Sequence, residues 1–199
     1  MIVSAHVAHR KNLRSEMMIA PTIETERLVL RSHRAEDFDG LLAMYESERS
    51  RYIGGPMDAG KVWFGFTSDV GSWVLYGTGA WAVDRRSDGV TVGQVSLNQP
   101  VQCPELELGW ILFDGFEGHG YAREAAEAVR DHAFGDLGVG TIVSYIDEDN
   151  ARSIALAERL GAHLDLEADM PAGKPTLVYR HANAKDSSAT SGLGGGCSA

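Results

Sequence analysis

The sequence predicts an α/β domain of the α+β type, and three observations predict it. Two period-two runs, 80–84 and 90–97, flank Asp88-Gly89, a hairpin signal that implies antiparallel strands. An apolar strand at 106–113, a glycine-bearing turn and a helix lead to a further strand at 141–146. A strand–helix–strand crossover of that kind makes the two strands parallel. Amphipathic helical spacing recurs between residues 38 and 74. The expectation is one mixed, mostly antiparallel sheet with a single parallel pair.

The elements follow in order. Residues 1–20 show no sustained period and read as a flexible arm, in which Met17 or Met18 could equally be the start. The run 23–31 alternates as one strand, with Leu28 and Leu30 inward. Phe38, Leu41, Leu42 and Tyr45 fall at helical spacing, Gly54-Gly55-Pro56 breaks the chain, and Asp58 can cap a second helix. Trp63, Phe66, Val70, Trp73 and Val74 share one face of that helix and read as core. After the glycine turn, Ala122, Ala125, Ala126, Val129 and Ala133 form a narrow face that lets a helix lie close to a sheet, with Arg123, Glu124, Glu127, Arg130 and Asp131 outward. Asn150 and Gly161 bracket a short helix, and segments 162–167 and 175–180 read as a closing strand pair. Residues 183–199 are rich in Gly and Ser without apolar period and are expected to be disordered, leaving a domain at 21–182.

At 199 residues the chain suits one domain with a sizeable core, and its 44% hydrophobic and 23% charged residues are ordinary for a globular protein. The formal charge of -10 argues against a broad nucleic-acid face, which needs clustered Lys and Arg. It suits a cationic substrate or partner, or simply a solvated surface. Cys103 and Cys197 make no disulfide framework, so a cytoplasmic location is expected. No window holds the roughly 18 consecutive apolar residues of a membrane span.

The chemistry concentrates where the central strand meets the glycines of Gly118-His119-Gly120-Tyr121-Ala122. A helix start leaves backbone N–H groups unpaired at the positive end of the macrodipole, and glycines there let a phosphate touch the main chain. A Walker loop is absent, because no Gly-Lys-Ser/Thr follows. A dinucleotide fingerprint is a rival, but Arg123 stands where a third small residue is needed and hairpins, not repeated βαβ units, lead in.

Four segments together resemble the GCN5-related N-acetyltransferases (GNAT), in the branch similar to ribosomal-protein alanine acetyltransferases. They are 25–31, Glu107-Leu108-Gly109-Trp110, Gly118 to Ala125, and Asn150-Ala151-Arg152-Ser153 with Leu160-Gly161-Ala162, and the resemblance covers residues 23–181. It implies a sheet with helices on both faces whose parallel pair splays around acetyl-CoA. It also implies direct acetyl transfer to a primary amine, either a protein N-terminus or a small molecule, in a monomer or homodimer without metal. By the same resemblance the amides of Gly118, His119, Gly120, Tyr121, Ala122 and Arg123 hold the pyrophosphate. Ile111, Leu112 and Phe113 meet the pantetheine arm, aided by Asn150.

For catalysis the resemblance offers Glu107 as general base, or a solvent-facing strand residue, and Ser153 as proton donor to the thiolate, or a plain first-turn serine. Glu117 departs from the family's Gln/Arg at the start of the loop pattern. That departure, with no tyrosine in the helix at 151–160, keeps a non-catalytic acyl-CoA sensor open as the alternative. His119, His132 and His163 lack metal-ligand spacing, and Cys103 has no paired base nearby in sequence and reads as structural or incidental.

Overall fold

The structure, a computed structural model, describes residues 20–171 and 176–183. The arm up to Ile19, the tail from Ala184 with Cys197, and Pro175 at the head of the closing segment lie outside the described residues. Ala20, assigned to the arm, is buried in the core.

Eight strands form one sheet in the order β1-β2-β3-β4-β5-β6-β8-β7. They are β1 (Ile23–Glu24), β2 (Leu28–Arg31), β3 (Gly79–Arg85), β4 (Thr91–Asn98), β5 (Glu107–Leu112), β6 (Ile142–Ile146), β7 (His163–Leu164) and β8 (Leu177–His181). All neighbours are antiparallel except β5 and β6, as the crossover requires. The helices are α1 (Asp37–Glu46), α2 (Ala59–Tyr76), α3 (Tyr121–Gly135) and α4 (Ala151–Arg159), with a 3-10 segment at Glu48–Ile53.

The single strand expected over 23–31 is two strands. Thr25 turns the chain: its N–H donates to Leu28 O at 3.0 Å and its hydroxyl accepts from Leu28 N at 3.0 Å. Period-two alternation persists through so short a turn, so the pattern alone did not reveal the break.

In α2 the buried residues are Val62, Phe66 and Trp73. Trp63, Val70 and Val74, expected on the core face, are 49%, 41% and 57% exposed. The helix carries apolar residues on two stripes about 100° apart, so counting them did not select the inner one. Glu124 is also not solvent-directed: its carboxylate accepts from Thr25 Oγ1 at 2.5 Å and from Arg27 N at 2.8 Å, tying α3 to the β1–β2 turn.

Strand alternation sets the two sheet faces. Val95, Leu97 and Leu108 pack with Ala125, Ala126, Val129 and Ala133 of α3. Gln94, Ser96, Asn98, Glu107, Gly109 and Ile111 look the other way into a cleft of about 1060 Å³ walled by α1 and α2. Burial of the α3 methyl groups lets that helix sit close behind β5, which fixes both the cleft and the turn at the end of the strand.

Candidate active site

The parallel pair parts early. Its ladder holds one residue pair, Glu107 and Val143, with Val143 N donating to Leu106 O at 3.0 Å. Ser144 Oγ then donates to Leu108 O at 2.6 Å, and His181 Nε2 lies 3.0 Å from the same hydroxyl. Ser144 is therefore the last pin before β5 and β6 diverge.

The register says which main-chain groups face the gap. Phe113 N donates to Val92 O on β4 at 2.9 Å, and antiparallel alternation gives the amides of Ile111 and Gly109 to β4 as well. The amides of Trp110 and Leu112 point toward β6, where no ladder takes them. Of Ile111, Leu112 and Phe113, only Leu112 thus has its N–H in the gap. Trp110, which residue patterning did not single out, joins it; the deciding signal is the pairing register, which a lone strand does not reveal. Phe113 packs its ring over Gly40 of α1, and the Ile111 side chain lines the cleft.

Beyond β5 the chain turns through Gly115, Gly118 and Gly120, at φ values of 82°, 79° and 81°, in the left-handed region that suits glycine. Gly120 caps α3 without a side chain, so the first-turn N–H groups of Tyr121, Ala122 and Arg123 stay open to a ligand. Nothing stands within 4 Å of a Cβ built on Gly118, and the cradle is open there. Arg27 braces the turn from behind: Nη1 donates to His119 O at 2.9 Å, and the guanidinium pairs with Glu124 at 2.7 Å. The exposed His119 ring stacks on Tyr121, and Arg123 pairs along its own helix with Glu127 at 3.0 Å.

Glu117, the departure from the family loop, does not leave a bare negative charge beside the cradle. Arg49 from the 3-10 segment forms an ion pair with it, pairs with Asp114 at 3.0 Å and donates to Leu112 O at 3.1 Å. A cation therefore stands at this corner, supplied from 68 positions earlier in the chain. Separation in sequence hid it.

Glu107 lies in the cleft wall. Burial pushes its carboxyl up to about 7, and the charge of Asp69 adds to this, while a hydrogen bond from the Cys103 thiol and the Tyr145 N–H oppose it. Cys103 Sγ lies 3.9 Å from Glu107 Oε2, and its thiol is pushed up to about 11 by burial and then by the glutamate's charge.

Asp69, on α2, is the second cleft carboxylate. It accepts from Gln94 Nε2 at 3.0 Å and Asn98 Nδ2 at 2.7 Å, and burial raises it above the usual carboxylate range. At helical spacing it falls in the middle of the Val62, Phe66 and Trp73 face, and a lone carboxylate there is a signal that could have found it.

Asn150 Oδ1 accepts from Ser153 N at 3.2 Å and caps α4, which leaves its Nδ2 to donate elsewhere. Neither residue lines the cleft, whereas Tyr145 does; its hydroxyl accepts from Glu105 N at 3.1 Å and keeps its own proton to give. Among the described residues no three His, Cys, Asp or Glu side chains converge as metal ligands, and no helix is long and apolar enough to cross a membrane.

The fold is shared with known proteins. Residues 27–163 match the family described as the acetyltransferase (GNAT) domain. The crystal structure of an acetyltransferase from Agrobacterium tumefaciens str. C58 is 42% identical, with a TM-score of 0.79 over 82% of this chain and 95% of that one. The ribosomal L7/L12 alpha-N-protein acetyltransferase RimL, solved in complex with coenzyme A, shares the fold at 16% identity and a TM-score of 0.63 over 80% and 96% of the two chains. The uncharacterized protein YkkB of Bacillus subtilis (strain 168) is 32% identical over 110 residues, 52% of this chain. The match spans 61% of that relative's length, less than two thirds.

Proposed function

The chain belongs to the acetyltransferase (GNAT) domain family, whose members move an acetyl group from acetyl-CoA, and from that premise we propose that it acetylates a primary amine by direct attack in a ternary complex. The observation that carries the reading is the early parting of β5 and β6 beside an uncapped helix start. The gap and the cradle each present main-chain donors, at the two ends of one turn, which suits a pantetheine arm ending in a pyrophosphate. We take the domain to span residues 21–182.

In this reading the amides of residues 118–123 hold the pyrophosphate. Trp110 and Leu112 offer N–H groups to the arm and to the carbonyl oxygen on which charge develops, and Asn150 Nδ2 reaches the arm from the α4 side. Glu107 takes one proton from the acceptor ammonium, freeing the lone pair that forms the new N–C bond, and the second N–H proton leaves as the C–S bond breaks and replaces the one given to the sulfur. A base poised near neutrality suits that task, since it is ionised at working pH yet basic enough to compete for the proton. As the C–S bond breaks, Tyr145, which lines the cleft, returns a proton to the sulfur; Ser153, in the first turn of α4, does not line it. The raised Cys103 thiol is a poor nucleophile, which agrees with transfer that does not pass through the enzyme.

The acceptor on this reading is a small-molecule amine or a protein N-terminus; the likeness to RimL is one of fold. Calorimetric titration with acetyl-CoA, followed by thiol release across a panel of amines, tests the proposal. Binding with amine-dependent thiol release is expected. Absence of binding at millimolar concentration overturns it, and binding without release for every amine favours an acyl-CoA sensor.

A further inference from the structure

The cleft holds more negative charge than a single general base requires. Asp69, from α2, and Glu107, from β5, line the same cleft, and among the described residues neither has an ion-pair partner. Lys61, at the rim, is paired with Asp58 at 3.6 Å; His33 acts on Asp69 through its charge but makes its close contact with Asp37, at 3.4 Å. Asn98 marks how near the two carboxylates are: it donates to Asp69 Oδ1 at 2.7 Å and lies directly opposite Glu107 in the β4–β5 register. Directly opposed residues have Cβ atoms about 5 Å apart, so the two carboxylates are within reach of a single short ligand.

A second, independent observation points to what that ligand carries. Gln94 lines the cleft, is 6% exposed and donates its Nε2 to Asp69 Oδ2, while its Oε1 has no partner. Asn98 Oδ1 is likewise buried without a partner. Buried acceptors without donors are costly. Both amides donate to Asp69, and their own oxygens are acceptors in want of a donor, a set that calls for a group rich in N–H and positively charged. An ammonium, with three donors and one charge, matches it.

Building on the acetyltransfer reading, we propose that Asp69, with Gln94 and Asn98, is a receptor for a second cationic group on the acceptor, so that the preferred substrate is a small amine bearing another ammonium a short alkyl spacer away. One nitrogen sits at Glu107 and is acetylated; the other stays protonated at Asp69 and fixes the chain length. The overall charge of -10 steers such a cation toward the cleft. Burial raises the Asp69 carboxyl against the hydrogen bonds of Gln94 and Asn98 and the charge of His33, and a cation brought by the substrate would favour its ionised form.

The probes are 1,4-diaminobutane and 1-aminobutane, equal in length and different in one charge, with thiol release measured for the full chain. The wild-type protein should favour the diamine in kcat/KM by about tenfold or more, the ratio that about 1.4 kcal/mol of attraction gives, and added salt should erode the preference. Asp69→Asn should bring the ratio close to one, mainly through KM for the diamine; a thermal melt and acetyl-CoA titration check its fold. A wild-type ratio near one, or a ratio that survives Asp69→Asn, overturns the proposal, as does a peptide N-terminus outpacing the diamine. No thiol release with any amine would instead overturn the acetyltransfer reading, and this proposal with it.

Discussion

Replacing Glu107 by Gln should remove both a pH limb and a pH-dependent strain. The carboxyl is pushed up to about 7 by burial first and by Asp69 after it. At pH 6 only about a tenth of the molecules carry the base in its working form, so kcat/KM for an amine should fall close to tenfold for each unit below neutrality. Glu107→Gln should lower kcat by about 10²- to 10⁴-fold and abolish that limb. Stability supplies an independent reading of the same group. In the folded state Glu107 holds its proton between about 4.5 and 7, where an unfolded glutamate has lost it. The native state therefore binds more protons in that window, and stability falls as pH rises through it. The shift corresponds to about 3 kcal/mol at full strength, and on the order of 2 once the cleft's solvent access is allowed for. Melting temperature measured from pH 5 to pH 8 should fall more steeply in the wild-type protein than in Glu107→Gln. Parallel melting profiles, or an acid limb that survives the substitution, would refute the assignment.

Gly120→Ala places a Cβ at φ 81°, with Arg27 Nη2 only 3.4 Å away; it should cost about 1 kcal/mol in a urea melt and weaken acetyl-CoA binding at least about tenfold, and unchanged affinity would count against the cradle. Arg49→Gln exposes the charge of Glu117 beside that cradle and should weaken acetyl-CoA binding about tenfold at low salt. The double variant Arg49→Gln/Glu117→Gln should recover most of the loss, and strictly additive losses in the titrations would show that the pair is not coupled.

What could be read from the chain alone was what is decided locally. The Asp88-Gly89 hairpin, the Asp58 cap with Lys61 N donating to it at 3.0 Å, the Asn150 cap and the left-handed glycines each depend on a few adjacent residues. The parallel pair followed from connectivity, since a crossover helix leaves little choice of direction. The inner face of α2 did not follow, because two apolar stripes compete and only tertiary packing chooses between them. Nor did the direction of the β5 amides, which is fixed by a register shared with β4.

The two acidic oddities of the sequence mark the same limit from opposite sides. Glu117 looked like a departure without compensation because its counter-charge, Arg49, comes from a segment far away in sequence that the packing of α1 around Phe113 brings beside the turn. Asp69 attracted no notice because it sits within an apolar helix, yet its position is the more readable one. A carboxylate at the centre of a face otherwise made of Val62, Phe66 and Trp73 is too costly to keep there unless something meets it. Gln94 and Asn98 meet part of that need as neutral donors, and their own oxygens are left without partners. The chain therefore meets the charge of Glu117 with Arg49, while among the described residues Asp69 has no ion pair and feels only the more distant charge of His33, and it is this charge that motivates the proposal of a cationic acceptor.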